Sequence, residues 1–192
     1  DRVVTVDLHA GQIQGFFDIP VDNLFATPIF ARHAKKNIKS KNIICVAPDV
    51  GGTERARALG KILNVELAIV DKRRPKPGQS KVMNVIGNVK GKTCIIVDDI
   101  IDSGGTIVNA AKALKDRGAK EVYVYITHGV LSGEAVDKIK KSVIRKLVIT
   151  DTIDNHDKIK NVKNIEVLPI SALMGEAIKR ISNSTSVSDL FK

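Results

Sequence analysis

The sequence predicts an α/β protein with a doubly wound, mainly parallel sheet and helices on both faces. Short continuous apolar runs, such as residues 43–47 and 94–97, are typical of strands that are buried on both sides. Amphipathic segments, such as residues 107–117, follow these runs, and this alternation favours parallel strands joined by helices. The length suits one domain with a full core or two small ones, and the continuous alternation predicts a single domain over residues 1–192.

Each predicted element has its own local signal. Residues 3–8 alternate like a strand, and residues 28–39 place apolar and basic side chains at helical spacing. Gly118 follows the helix at 107–117, where a C-terminal glycine is expected. The other predicted strands are 66–70, the edge strand 82–89, 122–127, 147–150 and 165–168. One further helix is predicted to begin at residue 53, and two more are predicted at residues 133–141 and 171–181.

The composition excludes several classes of protein. No apolar run approaches the roughly eighteen residues of a membrane span, and no signal-peptide pattern opens the chain, so we expect no membrane partner. Cys45 and Cys94 lie in predicted buried strands, which favours a reducing, cytoplasmic setting. The net charge of +10 would suit nucleic acid, but aromatic residues make up only 4% and Trp is absent, so no nucleic acid partner is expected. A polyphosphate substrate accounts for the positive charge equally well.

The central stretch, residues 94–106, reads Cys-Ile-Ile-Val-Asp-Asp-Ile-Ile-Asp-Ser-Gly-Gly-Thr and predicts a ligand site. Ligands bind at the carboxyl ends of strands in open α/β sheets, and a glycine-rich turn into a helix presents free backbone N–H groups to an anion. Gly104 and Gly105 leave room for a phosphate, and no Lys follows them, which argues against a nucleoside-triphosphate P-loop. Asp98 and Asp99 can accept hydrogen bonds from a sugar diol. These features indicate a pentose 5-phosphate, although an Asp with a glycine pair also forms ordinary turns.

A second loop, residues 48–53, repeats this order of strand, acid, glycine pair, hydroxyl and helix. Two such loops at neighbouring strand ends can face each other across one cleft. The alternative interpretation is a capped turn in which Thr53 is the N-cap, while Arg55 and Arg57 are solvated on the following helix.

A basic loop follows the strand at 66–70. Residues 71–80 contain four cations and two prolines without an apolar anchor, which predicts a mobile, positively charged loop. A solvated basic turn is the alternative for such a run, but its position at a strand end favours a role in the site.

Residues 10–23 are apolar but show neither helical nor strand spacing, so we expect another surface to cover them. His9 precedes them at a strand end, where His is more often a hydrogen-bonded structural residue than a ligand. The tail at 186–191 ends on an apolar pair and is also expected to be pinned by a neighbouring surface.

Four motifs resemble those of the ribose-phosphate pyrophosphokinases, which have a type I phosphoribosyltransferase fold. The motifs are Asp-Leu-His-Ala-x-Gln-Ile-Gln-Gly-Phe-Phe from Asp7, Pro-Asp-x-Gly-Gly-x-x-Arg-Ala from Pro48, the central stretch, and Thr-His-x-x-Leu-Ser-Gly from Thr127. The resemblance covers essentially the whole chain. The first motif is absent from the nucleobase phosphoribosyltransferases, which share the central stretch.

This resemblance implies a reaction and a set of residues. Family members transfer the β,γ-diphosphoryl group of Mg·ATP to the 1-hydroxyl of ribose 5-phosphate, which gives phosphoribosyl diphosphate and AMP. The implied catalytic pair is Lys72 and Arg74, and Arg74 would also bind ATP. The implied ribose 5-phosphate site comprises Asp98, Asp99, Asp102, Ser103, Gly104, Gly105 and Thr106. His9 would contact both ATP and Mg²⁺, and the other implied Mg²⁺ ligands are Asp49, Asp7, Asp18 and Asp22.

The resemblance also implies partners and leaves alternatives open. Family members are homo-oligomers, with hexamers in the family, and have an additional N-terminal half that supplies residues around the adenine. This chain opens at Asp1 without Met, so we expect it to be the C-terminal half of such an enzyme, with sugar-phosphate binding retained and ATP turnover weakened. One alternative is a nucleobase phosphoribosyltransferase, against which the first motif and the basic loop argue. Another is a non-catalytic regulatory paralogue, which the intact catalytic and metal residues oppose.

Overall fold

The computed structural model describes residues 1–73 and 82–191. The strands are β1 (Val3–Val6), β2 (Val21–Leu24), β3 (Ile43–Ala47), β4 (Glu66–Arg73), β5 (Val82–Ile86), β6 (Thr93–Ile101), β7 (Glu121–Gly129), β8 (Lys146–Thr150) and β9 (Ile165–Leu168). The α-helices are α1 (Thr27–Asn37), α2 (Thr53–Leu63), α3 (Gly105–Asp116), α4 (Ala135–Lys140), α5 (His156–Ile159) and α6 (Ser171–Ser182). Two 3₁₀ turns span Gly11–Phe16 and Ser188–Phe191. The basic loop that we predict to be mobile spans residues 71–80. Its residues 74–80 lie outside the described residues.

Seven strands form the main sheet, in the order β5-β4-β3-β6-β7-β8-β9. All neighbouring strands run parallel except β4 and β5, whose antiparallel pairing places β5 at the edge. The predicted doubly wound, mainly parallel sheet is therefore confirmed, and so is the edge strand, although β5 already ends at Ile86.

Alternate side chains of the central strand β6 enter two separate cores. Cys94 and Ile96 pack in the core that contains α3 and α4, whereas Ile95 and Val97 pack in the core that contains α1 and α2. All four side chains are fully buried. A strand with helices on both faces has no solvent side, which explains the continuous apolar run in its sequence.

The order in which successive strands are added to the main sheet reverses between β3 and β6. β3 continues through α2 to β4 on one side, whereas β6 continues through α3 to β7 on the other side. Because α2 and α3 belong to opposite faces, the loops that follow β3 and β6 diverge. Such a switch point leaves a crevice at the carboxyl ends of the two strands, where ligands bind in open α/β sheets.

The first strand is not part of the main sheet, so the prediction of one sheet is wrong at this point. β1 pairs in parallel with β2 and forms a separate two-stranded sheet. The sequence does not predict β2, because the strand has only four residues and two of them, Asp22 and Asn23, are polar. Within the described residues the preceding apolar segment also stays uncovered, since Phe16 is 86% exposed.

Two element boundaries near the crevice differ from the prediction. β6 runs to Ile101, so Asp98 and Asp99 are strand residues rather than loop residues. Gly52 is the N-cap of α2, so the alternative interpretation with Thr53 as the N-cap is wrong. The Thr53 hydroxyl instead donates a hydrogen bond to the Val50 carbonyl at 2.7 Å.

The tail contacts another part of the same chain. The Phe191 ring packs edge-on against Phe25, with ring centroids 5.5 Å apart, which gives the tail a pinning surface of the kind expected. Cys45 and Cys94 are free and buried, as predicted. None of the described helices is long and apolar enough to cross a membrane.

Candidate functional site

The carboxyl end of β6 carries two adjacent carboxylates, Asp98 and Asp99, beside the end of β3. Both side chains are largely buried. The Asp98 Oδ1 atom accepts a hydrogen bond from the Asp99 backbone N–H at 3.0 Å, which ties the first carboxylate to the backbone of the second. A pair of fixed acceptors therefore lies at the switch point of the sheet.

The turn from β6 into α3 has the features of an anion-binding turn, and we call it the cradle. Gly104 has a φ of +76°, a left-handed conformation that glycine adopts without strain. The first amides of α3 have no helical acceptor, and the first turn contains no acidic residue that would neutralise them. A Cβ placed on Gly105 would meet nothing closer than the Ser103 Oγ atom at 4.0 Å, so the space above this residue is open within the described chain. The arrangement suits a phosphate group.

A cavity of about 550 Å³ borders this cradle. Ser103, Gly105 and Thr106 form part of its lining, and Lys112, Asp116 and Arg117 line it farther along α3. Lys112 and Asp116 form an ion pair at 2.7 Å, so Arg117 is the lining cation without an acidic partner among the described lining residues. The volume is in the range of small-molecule sites. Asp98 and Asp99 are not among the described lining residues, so the cavity lies beside the glycine turn and not over the two carboxylates.

The sequence does not identify Arg55 as a site residue, although it falls in the second motif. The structure contradicts the solvated interpretation, because the Arg55 guanidinium lies 3.2 Å from both Asp98 Oδ1 and Asp99 Oδ2. The signal that the sequence offered for Arg55 was its position in the second motif. The planar guanidinium of Arg can bind two carboxylates at once, which suits such a site. Arg57, two residues later, is exposed as predicted.

His9 joins the same cluster from the loop after β1. Its Nδ1 atom lies 2.8 Å from Asp99 Oδ2, while most of its side chain is exposed to solvent. The structure thus brings His9 into contact with one of the two carboxylates, Asp99, and leaves the imidazole open to a ligand.

A ligand of a cation is expected to be exposed, whereas Asp7 is buried. Its Oδ2 atom accepts hydrogen bonds from the Ala26 backbone N–H at 2.9 Å and from the Thr127 hydroxyl at 2.7 Å. The residue is buried and has a positive φ of 44°. The carboxylate therefore connects the end of β1 to the start of α1 and to β7.

The two carboxylates of β6 have opposite pKa shifts. Burial, together with a hydrogen bond and the negative charge of Asp99, raises the pKa of Asp98 from 3.8 to about 7, although Arg55 opposes this. Burial acts on Asp99 as well, but the Arg55 charge and the His9 hydrogen bond outweigh it and hold the pKa of Asp99 below its usual value. Near neutral pH, Asp99 is ionised and Asp98 titrates.

We expect the substitution Asp98→Asn to become increasingly stabilising, relative to the unmodified chain, as the pH rises from about 4 to about 7. The pKa of Asp98 is higher in the folded chain, at about 7, than its ordinary value of 3.8, so the folded state binds the proton more tightly. The stability that this proton contributes is fully present below the pKa of Asp98 in the unfolded chain. It is lost as the pH rises through the pKa of Asp98 in the folded chain. Asn cannot ionise and avoids this loss.

Thermal unfolding from pH 4 to pH 8 measures this effect. The Tm difference between Asp98→Asn and the unmodified chain should grow up to about pH 7 and then level off, following the raised pKa. The almost fully exposed Asp157 provides the control, and Asp157→Asn should show no such growth. A constant difference for Asp98→Asn over this range would contradict the raised pKa.

The remaining predicted site residues are less closely gathered. Asp49 is exposed in the loop after β3, and its Oδ1 atom accepts the Gly52 backbone N–H at 2.9 Å. Asp18 is exposed, and Asp22 pairs with Arg2 at 2.6 Å. Asp102 is exposed in the turn before α3. The backbone of Lys72 lies on β4, but its side chain and all of Arg74 lie outside the described residues.

Magnesium fits this site only as an ion that arrives with a substrate. In the part of the chain that the structure describes, no group of three or more His, Cys, Asp or Glu side chains could hold a metal ion. Mg²⁺ usually keeps several waters and binds through one or two carboxylates together with substrate phosphates. The exposed carboxylate of Asp49 suits that mode, whereas the buried Asp7, already a hydrogen-bond acceptor, does not. The exposed His9 offers an imidazole nitrogen, which a hard ion such as Mg²⁺ favours less than oxygen.

Comparison with known proteins finds similar sequences over the whole chain. Residues 72–192, more than half of the chain, match the family described as the phosphoribosyl synthetase-associated domain. Two relatives named ribose-phosphate pyrophosphokinase, from Rhizobium meliloti (strain 1021) and Hyphomonas neptunium (strain ATCC 15444), are each 60% identical to this chain. Each alignment covers all of this chain and 62% of the relative, so the chain spans about three-fifths of the length of these curated relatives.

Solved structures show the same fold. The crystal structure of phosphoribosylpyrophosphate synthetase from Mycobacterium smegmatis has a TM-score of 0.86 and 37% identity, over 96% of this chain and 59% of that one. Adenine phosphoribosyl transferase from Trypanosoma brucei, with 15% identity and a TM-score of 0.51 over 76% of this chain and 63% of that one, shares the fold alone. The predicted type I phosphoribosyltransferase fold is confirmed, and the chain belongs to the family of the phosphoribosyl synthetase-associated domain.

Proposed function

We propose that this chain binds ribose 5-phosphate and takes part in the ribose-phosphate pyrophosphokinase reaction, a step of nucleotide biosynthesis. One observation carries the proposal: a phosphate cradle and a pair of carboxylate acceptors follow each other on the unit β6–α3, at the switch point of the sheet. A pentose 5-phosphate presents a phosphate at one end and a diol at the other. The names of the relatives at 60% identity support the activity.

The residues of the chain would position the sugar for attack. The amides of Gly105 and Thr106 would bind the 5-phosphate, and the ionised Asp99 would accept hydrogen bonds from the diol. The 1-hydroxyl would then be free to attack the β-phosphorus of ATP, and the bond from that phosphorus to the α-phosphate oxygen would break as AMP leaves. Positioning of this kind is most of what phosphoryl transfer needs from a protein.

The charge on the transferring group needs separate stabilisation. Lys72 and Arg74 remain the proposed pair for this role, because cations near the transferring group stabilise its oxygens. Mg²⁺, when bound with ATP, would be held by Asp49 and His9 and would neutralise charge on the phosphates.

The setting of the enzyme is also proposed. Free, buried Cys45 and Cys94 suit a reducing compartment, and we infer a cytoplasmic enzyme. The family resemblance supports a homo-oligomer, with a hexamer as the first candidate. The nucleobase phosphoribosyltransferase alternative has the shared fold in its favour but not the names of the relatives at 60% identity.

The decisive experiment is calorimetry with ribose 5-phosphate and three truncated ligands, namely 2-deoxyribose 5-phosphate, ribose and inorganic phosphate. We expect 2-deoxyribose 5-phosphate, which lacks one hydroxyl of the diol, to bind at least about tenfold more weakly, because a hydrogen bond to a charged acceptor contributes about 1.5–3 kcal/mol. Ribose without the phosphate should bind more weakly still. Equal affinity for ribose 5-phosphate and inorganic phosphate would contradict the diol site. Release of AMP from ATP in the presence of ribose 5-phosphate and Mg²⁺ then separates an enzyme from a regulatory paralogue.

A further inference from the structure

The carboxyl end of β1 has no backbone connection to the main sheet. Within residues 1–73 and 82–191, no backbone hydrogen bond joins β1 or β2 to any strand of that sheet. The loop after β1 nevertheless brings His9 Nδ1 to 2.8 Å from Asp99 Oδ2 on β6. Side-chain contacts must therefore fix the end of β1 relative to β6.

Two consecutive residues of β7 hold the end of β1. The Thr127 hydroxyl donates a hydrogen bond to Asp7 Oδ2 at 2.7 Å. The His128 Nε2 atom lies 2.9 Å from the Val6 carbonyl oxygen and 3.3 Å from the Asp7 carbonyl oxygen. A carbonyl oxygen can only accept a hydrogen bond, so His128 Nε2 carries a proton and is the donor.

The ring of His128 is oriented by a hydroxyl from the loop after β8. The Thr152 Oγ1 atom lies 2.9 Å from His128 Nδ1, and 3.1 Å from the Thr127 carbonyl oxygen. Because the neutral ring of His128 has its proton on Nε2, Nδ1 accepts a hydrogen bond, and the Thr152 hydroxyl is the group that donates it. The imidazole is thus held at both nitrogen atoms, as a residue that positions other groups needs to be.

The two carbonyl groups that His128 contacts flank an unusual turn. Asp7 has a φ of 44°, in the left-handed region that residues other than glycine seldom adopt. Such a conformation persists only where the surrounding contacts determine it. The chain passes through this turn between β1 and His9, so the hydrogen bonds from His128 stabilise the turn that directs His9 to Asp99.

His128 and Asp99 belong to neighbouring strands with a fixed register. β6 and β7 pair in parallel, with Ile100 opposite His128. Asp99 is the residue before Ile100, so the pairing of the two strands sets the separation between His128 and the carboxylate that His9 contacts. A donor on β7 that holds the backbone of β1 therefore also sets where His9 lies relative to Asp99.

We propose that His128 is a positioning residue, which holds the β1 backbone at Val6 and Asp7 so that His9 keeps its Nδ1 on Asp99 and its Nε2 open to a bound substrate. An ionised carboxylate can only accept, so the neutral ring of His9 has its proton on Nδ1 while the contact with Asp99 lasts. That the substrate is ATP rests on the proposed function, whereas the positioning of His9 does not.

The test measures which nitrogen of His9 carries the proton, by two-dimensional ¹H–¹⁵N NMR of the imidazoles in the full chain without substrate. The chain has four His residues, and the variant His9→Gln identifies the signals of His9. The spectra are recorded at about pH 8, where an ordinary imidazole is neutral. A neutral imidazole without a partner favours the proton on Nε2, so the position of the proton reports the contact with Asp99.

We expect the unmodified chain to show His9 with its proton on Nδ1, and His128→Ala to shift the proton toward Nε2. His128→Gln should restore the unmodified spectrum of His9, because its side-chain amide can donate to the same carbonyl oxygens. The matched control is His33→Ala, which removes another largely buried His, one that contacts Tyr125 and Glu166 and not β1. The control should leave the His9 signals unchanged. An unchanged proton position in His128→Ala would overturn the inference.

A second variant keeps the inference testable if His128→Ala does not fold. Thr152→Val removes the hydroxyl that orients the His128 ring and leaves a side chain of similar shape. We expect the His9 proton to shift in the same direction as in His128→Ala, but by less. An unchanged His9 in Thr152→Val would overturn the inference in that case.

Release of AMP provides a second readout. We expect His128→Ala to lower kcat at least about tenfold, because a misplaced group is costly, and to leave the KM for ribose 5-phosphate unchanged, because the cradle lies on β6 and α3. If the unmodified chain releases no AMP but the His9 proton follows His128, the proposed function fails and the positioning role stands. If the chain releases AMP but His9 does not respond to His128, the proposed function stands and the positioning role is overturned.

Discussion

Replacing Gly105 by Val is expected to weaken ribose 5-phosphate binding by about 100-fold or more without unfolding the chain. A Cβ at Gly105 has no neighbour within the described chain closer than Ser103 Oγ at 4.0 Å, so the first atom of the new side chain meets no clash in the protein itself. The bound phosphate would not, because the Val side chain would enter the space above the first amides of α3. Loss of two hydrogen bonds to a charged phosphate costs about 3 kcal/mol or more, which is about a 100-fold change in affinity.

Calorimetry with ribose 5-phosphate, paired with thermal unfolding, measures the effect of Gly105→Val. The matched control is Gly175→Val, because Gly175 also lies in a helix and its Cβ would meet nothing within 4 Å. The control should lose little stability and no affinity. If Gly105→Val kept both its Tm and its affinity for the sugar phosphate, α3 could not be the phosphate site.

The central strands of the main sheet were predictable because they are buried on both faces. β3 has the predicted bounds, Ile43–Ala47, since apolar side chains on both faces mark such a strand without any tertiary information. The edge strand β9 also has its predicted bounds, Ile165–Leu168, although Val167 is exposed. β2 was not predictable, because its four residues gain strand geometry only by pairing with β1. The four residues of α5 are too few to show a helical period.

For the candidate site as well, the sequence predicts contacts between nearby residues but not contacts between distant ones. The carboxylates of β6 and the cradle of α3 lie within ten consecutive positions, so the sequence alone brought them together. The contact from Arg55 to Asp98 joins residues 43 positions apart, and only the packing of α2 against the sheet creates it. The spacing of charges along a helix does not show which of them will be buried against distant carboxylates.

Asp7 shows how an acidic residue at a strand end can have a structural role instead of the expected metal role. The resemblance placed it in a cation site together with Asp18 and Asp22. In the structure, its Oδ2 atom accepts hydrogen bonds from the backbone N–H of Ala26 and the hydroxyl of Thr127. These bonds attach the small two-stranded sheet to the main domain. The two interpretations lead to different results for the metal-free protein.

Asp7→Gly is therefore expected to lower the free energy of unfolding by about 3 kcal/mol, because two charge-assisted hydrogen bonds are lost at a buried position. Glycine accepts the φ of 44°, so the substitution removes the carboxylate without adding backbone strain. For a chain of this length, the Tm should fall by about 6–12 °C in metal-free buffer. Asp18→Gly, at an exposed position, is the control and should shift the Tm by far less. If Asp7→Gly left the metal-free Tm unchanged and reduced only the binding of Mg²⁺, the structural role of Asp7 would be wrong and the metal role favoured.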